Sequence, residues 1–172
     1  FTVNTGHAAT AYLGYQRGVA TIAEALEIPE IAAEVRAVLA ETSGLIVAKH
    51  GFTEQEQRDY VETTLARITN PLLPDTCARV GRAPLRKLGR HERFIDPAAQ
   101  LAERGEPAWN LLTAVGAALR FDADDDPEAV ELQERLASGA APGELATELC
   151  GIEPGHPLHE PLTEVFRLRL ES

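Results

Sequence analysis

Apolar residues recur along this chain at steps of three and four, and those steps predict helix after helix. Ile31, Val35, Val38, Leu39, Leu45 and Ile46 draw the longest stripe, the mark of an amphipathic helix with one buried face. Pro29 suits a first helical turn and Gly51 lies just beyond His50, so this helix is predicted from near Pro29 to near His50. Thr53-Glu-Gln-Glu56 then reads as a capping box, in which the Thr53 hydroxyl accepts from a backbone donor while Glu56 reaches back. Val61, Leu65 and Ile68 give the buried stripe of the helix that follows, and Asn70-Pro71 stops it. Leu111, Leu112, Val115 and Leu119 predict another buried helix starting near Ala108. The acidic run Asp122-Ala-Asp-Asp-Asp126 ahead of Pro127 reads as a solvated loop ending in an N-cap, where negative charge meets the positive end of a helix dipole. It lacks the glycine and distal glutamate of a calcium loop. Shorter helices are predicted over 143–149 and 158–170, joined by a Pro/Gly-rich turn over 151–157. No strand, repeat or internal boundary is evident. The expected fold is mainly α, one multi-helical domain over 1–172.

Composition narrows the class. A chain of 172 residues, 44% hydrophobic and 25% charged, is long enough to bury a core without staples. No stretch approaches the roughly 20 apolar residues of a membrane helix, so no membrane is expected as partner. The opening Phe1-Thr-Val-Asn-Thr-Gly-His lacks the charged and then apolar regions of a signal peptide. Cys77 and Cys150 form no CxxC pair and are expected as free thiols of a cytoplasmic protein. A formal net charge of −11 repels nucleic-acid phosphates and anionic membranes alike.

That charge is unevenly spread. Arg79, Arg82, Arg86, Lys87, Arg90 and Arg93 crowd into one short segment with His91 among them and Glu92 as the sole acid. Two readings stand on composition alone. The cations can meet acids elsewhere in surface ion pairs, each worth little. Alternatively they form a phosphate site, since guanidinium groups grip phosphate bidentately and lysine adds a point charge.

Asn4-Thr5-Gly6-His7-Ala8 is the other informative segment. Asn4 or Thr5 can cap a helix that His7 begins, and Gly6 allows close approach to the backbone. Spacing alone makes neither Asn4 nor His7 catalytic; a cap followed by a hydrogen-bonded histidine accounts for both. His50, His156 and His159 show no metal-ligand spacing, read as solvent-exposed, and no metal is expected. Trp109, after Pro107, reads as a core or hinge packing residue.

The segment Phe1-Thr-Val-Asn-Thr-Gly-His-Ala-Ala-Thr-Ala-Tyr-Leu-Gly14 resembles the signature of the polyol-specific long-chain dehydrogenases, in the branch of the mannitol-1-phosphate 5-dehydrogenases. Asn70-Pro71, Asp75, Arg79-Val-Gly-Arg82 and Pro84-Leu-Arg-Lys-Leu88 resemble that family's second block, which lines the polyol site. Weaker likeness continues through Trp109-Asn110-Leu111 and Phe121 to Asp126, so it spans nearly the whole chain. The two blocks are specific jointly.

The resemblance implies a helical substrate-binding domain like the C-terminal domains of mannitol and 6-phosphogluconate dehydrogenases. Its partner in the same polypeptide is an N-terminal Rossmann-type domain, absent from these 172 residues, which carry no GxGxxG. The implied reaction is NAD-dependent interconversion of mannitol 1-phosphate and fructose 6-phosphate. In it Asn4 is the amide donor holding the substrate oxygen as charge develops, and His7 hydrogen-bonds the substrate oxygens. Arg79, Arg86 and Lys87 are the foremost candidates for substrate hydroxyls and phosphate, with Arg82 and His91 next. The family's general-base lysine lies five positions before the asparagine, which here falls two residues upstream of Phe1. The chain by itself is therefore expected to fold without dehydrogenase activity. The alternatives are another family member (a mannitol 2-dehydrogenase or hexuronate reductase) and a helical module whose arginines meet an acidic partner.

Overall fold

The first helix begins earlier than its sequence implies. In the computed structural model, which describes residues 2–51, 53–69 and 75–172, α1 runs over Thr2–Gln16. Asn4 thus stands inside its first turns and Thr5 is fully buried, so neither residue acts as the predicted cap. The reason is tertiary: Ala8, Ala9, Ala11 and Tyr12 are buried on the same helix, and packing of a face outweighs the weak helix preference of the opening Thr-Val-Asn-Thr. Asn70-Pro71, read as a helix stop, lies outside the described residues, as does the side chain of His50.

The chain divides into two compact units, 1–81 and 82–172. In the first, α1 packs against α2 (Ile22–Glu27), α3 (Pro29–His50), α4 (Glu54–Ile68) and α5 (Cys77–Gly81). Two glycines permit this crowding. A Cβ on Gly6 would lie 2.9 Å from Leu39 Cδ2, and one on Gly14 would lie 2.7 Å from Cys77 Sγ and 2.9 Å from Ala25 Cβ. The Tyr12 hydroxyl, buried, donates to the Gly81 carbonyl at 2.8 Å and ties α1 to the end of α5. The predicted boundaries of α3 hold, with Pro29 in its first turn and Gly51 left-handed at its end. The capping box of Thr53 and Glu56 is also present, and Val61 and Leu65 are buried as expected. Helix α2 was not anticipated. It is six residues long, too short to show a period, and starts on its own capping box of Thr21 and Glu24.

The second unit contains α6 (Pro84–Lys87), α7 (Ile95–Glu103), α8 (Trp109–Ala118), α9 (Pro127–Leu136), α10 (Pro142–Cys150) and α11 (His159–Leu170). Helix α8 is its core, burying Leu111, Leu112, Val115 and then Leu119. Helix α11 packs on α8 and α10 and buries Leu162 and Phe166. Arg169 and Gln133 donate to the Leu119 carbonyl at 3.1 and 3.2 Å, satisfying an acceptor beyond the end of α8.

Three expectations need correction in this unit. Trp109 is 64% exposed instead of packed in the core, because it occupies the first, outward position of α8 while the buried stripe begins at Leu111. His156 and His159 are partly buried and bonded: His156 Nε2 lies 3.0 Å from Glu103 Oε1, its Nδ1 accepts from the Leu158 amide, and His159 Nε2 lies 3.3 Å from Thr147 Oγ1. Asp126 precedes α9, but its side chain makes no capping bond and is 4% exposed. Its partner is distant in sequence and is described below. Among the described residues no β-strand forms, the sole pairing being an isolated antiparallel bridge between Thr21 and Thr76. No described helix is long and apolar enough to cross a membrane.

Candidate active site

In the first unit, one carboxylate gathers two of the predicted residues. The backbone of Asp75 is fixed beside α2: its carbonyl accepts from the Ile22 amide at 3.0 Å, and the Cys77 amide donates to Ala20 at 2.9 Å. From that anchored position Asp75 Oδ2 lies 3.4 Å from His7 Nε2, while Oδ1 lies 2.6 Å from Arg79 Nη2. The Asp75 carboxylate is largely buried, whereas the Arg79 side chain is 74% exposed. A guanidinium carries five donors in a planar fork, so this pairing orients Arg79 and leaves its outer edge toward solvent. The Arg79 amide donates to Thr76 Oγ1 at 3.1 Å, setting the start of α5. Asn4 is exposed one turn before His7 on α1, and residues three apart on a helix share a face. Asp75 belongs to the second block without being one of the candidate side chains. Its spacing of four from Arg79 was the signal available.

The remaining candidates, Arg82, Arg86, Lys87 and His91, lie in the second unit. Arg82 Nη1 meets Asp125 Oδ2 at 2.8 Å and its Nη2 donates to the Asp125 carbonyl at 2.6 Å. Ala83 is left-handed, with φ 59° and ψ 56°, a conformation that costs an L-residue about 1–2 kcal/mol. Its amide donates to Asp126 Oδ2 at 2.8 Å. The Arg86 amide donates to Glu128 Oε2 at 2.9 Å, and its guanidinium lies 3.8 Å from Glu92. Lys87 is 5% exposed, and its ammonium donates to the Arg82 carbonyl. Burial foremost, then Arg93 and Arg86, push its pKa down to about 8, against the opposing pull of Asp126 and Glu128. His91 is exposed.

The contacts of the basic segment are ion pairs. Each of its arginines has a carboxylate within 4 Å, Arg90 pairing with Asp96 and Glu103 and Arg93 with Glu92. Arg79, Arg82 and Arg86 remain 74%, 45% and 54% exposed, so their pairing leaves guanidinium edges toward solvent. Among the described residues no group of three His, Cys, Asp or Glu side chains could hold a metal ion.

The model of the mannitol dehydrogenase C-terminal domain matches residues 1–146. This chain belongs to that family. Mannitol-1-phosphate 5-dehydrogenases are similar to it over nearly its full length. That of Arthrobacter sp. (strain FB24) is 58% identical over 158 residues, covering 92% of this chain and 41% of the relative. That of Paenarthrobacter aurescens (strain TC1) is 58% identical over 171 residues, with coverage of 98% and 44%. The Aspergillus clavatus protein of the same name is 56% identical, covering 96% and 42%. The chain thus spans less than half the length of these relatives. Among solved structures, the ternary complex of Pseudomonas fluorescens mannitol 2-dehydrogenase with NAD and D-mannitol superposes with a TM-score of 0.71 at 19% identity, over 99% of this chain and 36% of that one. At that identity the likeness establishes the helical fold.

Proposed function

We propose that the full-length protein is an NAD-dependent polyol-phosphate dehydrogenase interconverting mannitol 1-phosphate and fructose 6-phosphate, with these 172 residues as its helical substrate-binding domain. The observation that carries the reading is the single carboxylate of Asp75 joining His7 to Arg79, with Asn4 exposed one helical turn before His7. The naming of relatives 58% identical to this chain supports it.

Oxidising a secondary alcohol requires a base for the hydroxyl proton, a hydride acceptor, and a donor that holds the oxygen as charge develops. Asn4 is the donor: an amide stabilises developing negative charge without changing its own protonation state. His7, oriented through Nε2 by Asp75, hydrogen-bonds the substrate oxygens. Arg79, Arg86 and Lys87 are the foremost contacts for hydroxyls and phosphate, followed by Arg82 and His91. The described residues of this chain offer no glycine-rich turn between strand and helix to cradle a dinucleotide. By the family resemblance NAD, which supplies the hydride acceptor, is assigned to an N-terminal Rossmann-type domain of the same polypeptide, and the base to a lysine of that polypeptide. A cytoplasmic setting fits both the phosphorylated substrate and the free, buried thiols Cys77 and Cys150.

The test is Asn4→Ala in the full-length enzyme. Loss of one oxyanion donor lowers kcat by about 10²–10³-fold, with KM for mannitol 1-phosphate changed far less. An unaltered kcat in N4A removes Asn4 from the chemistry and the reading with it.

A further inference from the structure

The acidic run and the basic segment, 43 residues apart along the chain, interlock in the second unit. Ala83 is the one non-glycine among the described residues with positive φ, and something must hold it there. Asp126 does so, accepting the Ala83 amide at 2.8 Å from a carboxylate that is 4% exposed. Although it stands at the N-cap position of α9, its side chain makes no bond to that helix. Two residues on, Glu128 accepts the Arg86 amide at 2.9 Å, and Asp125 pairs with the Arg82 guanidinium at 2.8 Å. Hydrogen bonds to ionised acceptors are the stronger, shorter class. Here two of them grip main-chain amides on either side of the turn, so the backbone origins of Arg82, Arg86 and Lys87 are fixed whatever their side chains touch.

We propose that Asp126 and Glu128 are positioning residues that lock the 82–87 segment in its strained turn and thereby set the enzyme's affinity for the phosphorylated substrate. The proposal rests on the reading of Arg82, Arg86 and Lys87 as substrate contacts. Neither carboxylate touches substrate itself; both act through the backbone that carries the cations. Strain of this kind persists only where the surroundings over-determine it, and a turn clamped from two sides by buried or half-buried acids meets that condition.

The experiment uses the full-length enzyme with D126A, D126N, E128Q, A83G and the double variant D126A/A83G. Losing a charge-assisted hydrogen bond predicts that D126A raises KM for mannitol 1-phosphate about 10-fold or more, with kcat within about twofold of the parent. D126N, which retains an acceptor oxygen, shows a smaller rise. Adding A83G to D126A recovers part of the loss, because glycine adopts the left-handed conformation unaided. A parent-like KM in both D126A and E128Q overturns the proposal, as does a D126A defect that A83G leaves untouched. Amide hydrogen exchange at Ala83 and Arg86 provides a readout independent of turnover: exchange accelerates at Ala83 in D126N and at Arg86 in E128Q while the rest of the unit stays protected. If the parent fails to oxidise mannitol 1-phosphate, the functional reading falls by itself. Unchanged exchange at both amides would sink the positioning claim separately.

Discussion

Lys87 is where residue-scale physics departs most from what its letter suggests. A lysine in a cluster of arginines looks like a surface cation, yet it is 5% exposed with its ammonium on the Arg82 carbonyl. Burial disfavours the charged form, so its folded-state pKa is pushed down to about 8 from an ordinary 10.5. Between those two values the unfolded chain binds the proton and the folded chain does not, so this group makes stability rise with pH across that window. Below pH 8 the cost of burying the charge is present in full. Lys87→Met has no such group, and the thermal midpoint of K87M relative to the parent should fall steadily between about pH 8 and about pH 10.5. A pH-independent difference would contradict the burial of a titrating amine. Asp75 teaches a related lesson. Its spacing to Arg79 was visible in the sequence, but the contact to His7 spans 68 residues of chain and depends on the backbone pairing of 75–77 with 20–22.

At the scale of elements, the readable helices were those whose sequence carries its own start, stripe and stop. Pro29, the apolar period and Gly51 bound α3, and the capping box opens α4, all local signals acting over a few residues. Helices α2, α5 and α6 are four to six residues long, shorter than two periods, and exist because tertiary contacts hold them. Helix α7 lacks such signals for another reason: its apolar residues Ile95, Ala98, Ala99 and Leu101 follow directly on the arginines, with no side-chain cap to mark its start. The acidic run was read as solvated because the Ala83 and Arg82 partners of Asp126 and Asp125 lie 43 residues away. The packing of α1 gives a direct prediction at this scale. In Gly14→Ala the new methyl would meet Cys77 Sγ at 2.7 Å and Ala25 Cβ at 2.9 Å, neither of them a flexible side-chain end. G14A should lose about 1–3 kcal/mol of stability by chemical denaturation, and parent-like stability would show that α1 does not sit this close to α2 and α5.

For the whole molecule, charge and length frame the function. The chain carries −11 overall, yet six of its 16 Lys and Arg residues fall within 79–93, where each arginine meets an acid of the chain itself. The fold class and the family were legible from two sequence blocks. The division of the candidate residues between two compact units, and the carboxylates that organise each group, were not, because they arise from contacts between segments far apart in sequence. The relatives are more than twice as long as this chain, so the proposed activity is tested on the full-length protein. The most direct measurement is the ratio of kcat/KM for mannitol 1-phosphate to that for free mannitol, in the full-length enzyme and in its Arg79→Ala variant. A charged contact to the phosphate predicts a ratio of about 10² or more that collapses toward unity in R79A. Equal efficiency on the two polyols, or a high ratio that R79A leaves intact, would contradict the account.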